Sequence, residues 1–274
     1  MNNRILSYLP GIVIGVALAV VGILLDWPFV VTAAAALGIV IVVWLIYVVN
    51  AVIRFGWLRR FNQTIRRLKG GDAEAAIAEL EAKRAGGDRS FEGTLALAAA
   101  YNYVGRGADA EPLVREAQSL LDRAGTCGKK DTSSRAKCDL VLVAQYDTQI
   151  VQGHFAEAAH GLRSRVSQAV QPNFMTAIIA WAFFLAGDSY NANVVLGHLQ
   201  PATSRGNNKR MISLKYQFAV AYMRHKLLGE DTRATLVTHS DQLADWEAEA
   251  TRNTANPYGA RLCEILDEVR PLMA

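Results

Sequence analysis

Cysteine is scarce in this chain: Cys127, Cys138 and Cys263 are the three among 274 residues. They form no CxxC, whereas a structural zinc site needs ligands two to four residues apart on at least one side. The spacing predicts no metal site and three free thiols in a reducing compartment. Catalytic signatures are missing too. Neither HExxH nor GxSxG occurs, the five histidines are scattered, and His154 and His160 fall on different sides of a helix. Gly125-Thr126-Cys127-Gly128-Lys129-Lys130 lacks the GxxxxGK[ST] spacing of a phosphate loop, with Lys130 where a hydroxyl residue is required. The chain is expected to be no enzyme, with no cofactor and no small-molecule substrate.

Charge is nearly absent from residues 5–53, where Asp26 stands alone. A positive excess is absent from the remainder. Residues 1–71 hold seven of the 29 basic residues and one of the 25 acids, which leaves 22 and 24 for residues 72–274. A nucleic-acid-binding domain shows a basic face and a clear positive balance, so no nucleic-acid partner is expected.

The uncharged residues 5–25 make a helix of about 31 Å, matching a hydrocarbon core of roughly 30 Å. Residues 29–53 form a longer run, able to span with some tilt. Asp26-Trp27-Pro28 leaves room only for a tight reversal, because proline breaks the helix. Residues 1–53 therefore read as a transmembrane helical hairpin. Cleavage near Ala17-Leu18-Ala19 is the competing reading, but the run continues through Leu25, longer than most signal cores. No Lys or Arg lies in the turn, whereas Arg54, Arg59, Arg60, Arg66, Arg67 and Lys69 follow the second span. The positive-inside rule then puts both termini in the cytoplasm. Gly11, Gly15, Ala19 and Gly22, with Ala34 and Gly38, form small-residue stripes that let membrane helices approach closely. With no ionisable side chain inside either span, the hairpin reads as an anchor and not a transport path. Residues 54–69 read as a basic amphipathic helix, with Leu58, Phe61, Ile65 and Leu68 on one face. Its six basic residues suit lipid headgroups, or it continues the second span with its stripe packed on the next unit.

After Lys69 the chain is alanine-rich and self-similar. Gly71 and Gly105 are 34 residues apart, and so are Gly153 and Gly187. Gly71-Asp72-Ala73-Glu74-Ala75-Ala76 is echoed by Gly153-His154-Phe155-Ala156-Glu157-Ala158. Leu97, Ala98, Tyr101, Gly105, Ala110 and Ala117 match Ile179, Ala180, Phe183, Gly187, Ala192 and Leu199, with a weaker copy around Gly229 and Ala234. This pattern resembles the tetratricopeptide repeat, a helix-turn-helix unit of 34 residues, in its membrane-anchored bacterial type. The resemblance implies an all-α fold, a transmembrane hairpin followed by an α-solenoid over residues 70–274 at a bacterial inner membrane. Polar insertions at 125–134 and 201–209 read as exposed loops. Residues 258–269 read as a capping helix, begun after Pro257 and stopped by Pro271, with a polar outer face.

The resemblance further implies that the first helix of each pair lines a concave face. Carried onto this chain, the lining positions are Ala99 and Asn102, Asp147 and Ile150, Trp181 and Phe184, Met223 and Lys226. The lysine and asparagine set that clamps a peptide carboxylate is not complete here, and the apolar members suit an apolar peptide or amphipathic helix. The expected function is a membrane-anchored scaffold or assembly factor that recruits protein partners. The alternative is an accessory subunit held mainly by its hairpin.

Overall fold

Alanine and leucine, both strong helix formers, are spread through the chain after Lys69, while glycine falls mostly between the apolar stretches. The computed structural model describes residues 29–129, 131–163, 172–199 and 214–273, and among these the regular structure is helical throughout. In chain order the helices are α1 (Phe29–Lys69), α2 (Ala73–Ala85), α3 (Phe91–Tyr103), α4 (Gly107–Arg123), α5 (Thr132–Val151) and α6 (Phe155–Arg163). They continue as α7 (Pro172–Leu185), α8 (Ser189–Gly197), α9 (Leu214–Leu228), α10 (Arg233–Thr238), α11 (Asp241–Arg252) and α12 (Pro257–Met273).

The chain divides into two units, Met1–Arg60 and Phe61–Ala274. In the first, residues 5–25, the Asp26-Trp27-Pro28 turn and the small residues Gly11, Gly15, Ala19 and Gly22 lie outside the described residues, as do the side chains of Ala34, Arg54 and Arg60. Among the described residues no helix is long and apolar enough to cross a membrane; the uncharged run 29–53 enters that count only in part. What is described of it is apolar and uncovered: α1 exposes eight large apolar side chains between Leu37 and Val49.

In the second unit the helices pair across glycine turns. Gly105, Gly153 and Gly187 each hold a positive φ, and the amide after each reaches back five residues: Arg106 to Tyr101 O at 2.8 Å, His154 to Gln149 O at 2.8 Å, Asp188 to Phe183 O at 2.9 Å. This is the bond pattern that closes a helix when its C′ residue is left-handed. Side chains start several of the helices. Ser90 Oγ accepts from the Gly93 amide, Asp131 Oδ1 from Ser134 and Asp188 Oδ1 from Asn191, each filling a donor the first turn leaves open. From α2 to α8 each helix packs on the next, and α3 also packs on α5 and α7 on α9.

Leu68 is fully buried, and Phe61 and Ile65 pack beside it against Ile77, Leu95 and Leu121. Phe61, Ile65 and Leu68 of the basic segment therefore join this core, and the folded unit starts before residue 70. On the other face Arg67 is paired with Glu79 at 2.6 Å and approaches Asp72 at 3.7 Å, while Arg59, Arg66 and Lys69 are exposed.

Two expectations are corrected. Cys127 and Cys138 form a disulfide, eleven residues apart, that ties the inserted loop to α5; Cys263 alone is a free, exposed thiol. Spacing rules written for zinc ligands do not test such a pair, because the loop turns back on itself. The last helix also does not stop at Pro271 but runs to Met273. Pro271 gives up its own bond to the turn before it, and the helix ends two residues later, so little helix follows the lost bond. Nor is α12 only a cap. Leu262, Ile265, Leu266 and Val269 are buried in the same core as Tyr146, Trp181 and Phe218. The second inserted loop, 201–209, lies outside the described residues.

Candidate functional site

The first helices of successive pairs, α3, α5, α7 and α9, converge on a cavity of about 560 Å³, which α11 and α12 close from the far side. Asn102 and Ala99 reach it from α3, Asp147 and Ile150 from α5, and Trp181 from α7. Five of the eight positions taken from the sequence thus meet in one place. Phe184 and Lys226 do not: they border a smaller recess of about 210 Å³ against α12. There Lys226 Nζ lies 2.8 Å from Glu268, which also accepts from the Tyr222 hydroxyl at 2.5 Å. Met223 borders neither space and is fully buried.

The apolar members of the set are covered by the chain itself. Trp181 is 1% exposed, stacks on Phe184 at 5.7 Å between ring centres and leans on Trp246 of α11 at 5.1 Å. Ile150 and Phe184 are buried with it. The apolar helix expected to come from a partner is, at these positions, supplied by α11 and α12. The C-terminal pair is also seated on the glycine turns. A Cβ at Gly153 would lie 2.8 Å from Pro257, and Asn256 Nδ2 donates to Gly105 O at 3.5 Å.

What remains open is polar and aromatic. Tyr146, Tyr216 and Tyr258 are buried at the cavity wall, and Tyr258 donates to Glu249 Oε1 at 2.7 Å. Burial pushes all three phenols well above their ordinary range, and the nearby Asp147 and Glu249 charges add to it, so they stay protonated. Asp245, Glu249 and Arg252 face the cavity from α11 at helical spacing, and Arg252 lies over the Tyr103 ring at 4.2 Å. Sequence reasoning missed these α11 residues and the three tyrosines. The signal present was the period of Gln242, Asp245, Glu249 and Arg252, but nothing local tells that this face turns inward.

Such a site can hold a ligand by hydrogen bonds, ring faces and charge. Among the described residues no group of three His, Cys, Asp or Glu side chains is placed to hold a metal ion. Comparison of the chain with protein-family models, with curated proteins and with solved structures finds no match.

Proposed function

We propose that this chain is a membrane-anchored scaffold of the tetratricopeptide kind, an α-solenoid whose inner groove receives a segment of a partner protein. The observation that carries this reading is the meeting of Asn102, Asp147, Ile150 and Trp181 at one cavity, from helices one repeat apart. Positions chosen for a common groove face have no reason to converge in an arbitrary helical bundle. The left-handed glycines at 71, 105, 153, 187 and 229 support the repeat reading, since each sits between two helices of a pair.

Anchoring draws its support from α1. Val40, Ile41, Val42, Trp44, Leu45 and Ile46 are all about half exposed or more, and consecutive residues point 100° apart, so the helix is apolar all round. Such a surface is too large and too continuous for water. With residues 5–25 before it, a transmembrane hairpin is the reading we adopt. The basic residues after it argue for a cytoplasmic repeat domain at a bacterial inner membrane. The Cys127–Cys138 disulfide argues the other way, because such bonds persist mainly in oxidising compartments.

The accessory-subunit reading keeps one observation of its own: among the described residues a Cβ at Gly38 would meet nothing within 4 Å, so a small-residue face is left for a membrane helix to approach. Affinity purification separates the two. Partners that co-purify with full-length protein are expected to remain on residues 61–274 expressed alone. Partners lost from that fragment, and lost from Gly15→Leu and Gly38→Leu variants of the full chain, would replace the scaffold with the accessory subunit.

A further inference from the structure

Among the described residues, four hydrogen-bonding atoms on residues that line the cavity have no partner. Asn102, 7% exposed, donates through Nδ2 to Ala144 O at 3.3 Å and Thr148 Oγ1 at 2.9 Å, while its Oδ1 accepts from nothing. Trp181 keeps its indole N–H unbonded although the ring is buried. Arg252 Nε and the Tyr146 hydroxyl are the other two. Buried polar atoms are nearly always satisfied, so a cluster of exceptions around one space points to something that enters it.

The rest of the lining says what enters. Asp147, Asp245 and Glu249 face the cavity against Lys69 and Arg252, an excess of acid, and five aromatic rings stand beside them. Carboxylates and ring faces together favour a cation, as the guanidinium of Arg252 over Tyr103 already shows within this chain. Size and bonding favour an extended segment over a helix. The cavity of about 560 Å³ holds little more than one helical turn roughly 10 Å across. A helix also spends its main-chain groups on itself and would leave the Trp181 N–H and Asn102 Oδ1 as they are. An extended segment brings a free carbonyl for the one and an N–H for the other.

We infer that this cavity, taken as the groove of the preceding reading, binds an extended protein segment that inserts a lysine or arginine side chain. The test titrates fluorescein-labelled, positional-scanning pentapeptide pools against the full-length chain in detergent, read by fluorescence anisotropy. Pools with Lys or Arg at one position are expected to bind best. Asp245→Asn, at an exposed position, should weaken them up to about tenfold and Trp181→Phe, which keeps the ring and removes the N–H, about as much. Far-UV circular dichroism checks that each variant is folded. Should Trp181→Phe unfold, Asp245→Asn decides alone. Pools that bind with an acidic or apolar preference, indifferent to both variants, overturn the cation and leave the groove. No binding by any pool overturns the groove reading and this inference with it.

Discussion

At the scale of the residue, pairing of charges across helices sets how the second unit responds to acid. Glu116 accepts from Arg84 at 2.5 and 3.4 Å, with Arg89 at 3.8 Å, and the Arg84 bonds hold its carboxyl below the ordinary value. Glu268 is held down in the same way by Lys226 and Tyr222. A folded value below the unfolded one means that the unfolded chain binds more protons, so the stability is full above about pH 4.5 and is lost as pH falls through the folded values. Thermal unfolding followed from pH 7 to pH 3 should show a constant Tm to about pH 5 and then a fall. Glu116→Gln should flatten part of that fall, and an unchanged slope would remove Glu116 from the account. Neither pair is legible in the sequence, since Arg84 and Glu116 stand 32 residues apart. The turn glycines were legible because each acts locally. A left-handed residue between two helices wants glycine whatever surrounds it.

Among the elements, α11 and α12 changed the meaning of the groove. The sequence marks α12 as a helix through Pro257 and its apolar period, yet nothing local tells whether its apolar face meets the last repeat or turns into the concave side. The structure seats it on the glycine turns, and Gly153 reports on that seat. Gly153 and Gly187 share a positive φ, but a Cβ at Gly153 would strike Pro257 whereas one at Gly187 would meet nothing within 4 Å. Gly187→Ala should cost about 1 kcal/mol from backbone strain alone. Gly153→Ala should cost roughly 1–3 kcal/mol more, from the forced shift of Pro257. Chemical denaturation of the two variants compares them directly. Equal losses would show that the C-terminal pair is not held against this turn in solution.

For the whole molecule, charge distribution and the disulfide disagree about the compartment of the second unit. Cys263, exposed and unpaired, can decide between them. A membrane-impermeant maleimide applied to intact cells should label Cys263 only after lysis if the domain is cytoplasmic. Labelling of unlysed cells would reverse the orientation and give the Cys127–Cys138 bond an oxidising surround. The sequence by itself determined the helical class, the turn positions and the uncharged runs, because glycine turns, helical periods and composition are local properties. Only the tertiary structure decided that Phe61, Ile65 and Leu68 belong to the folded core, that Cys127 meets Cys138, and that Trp181 and Phe184 are covered from within. Each of these depends on residues distant in the chain coming together, and a face that must be buried carries no mark of which surface will bury it.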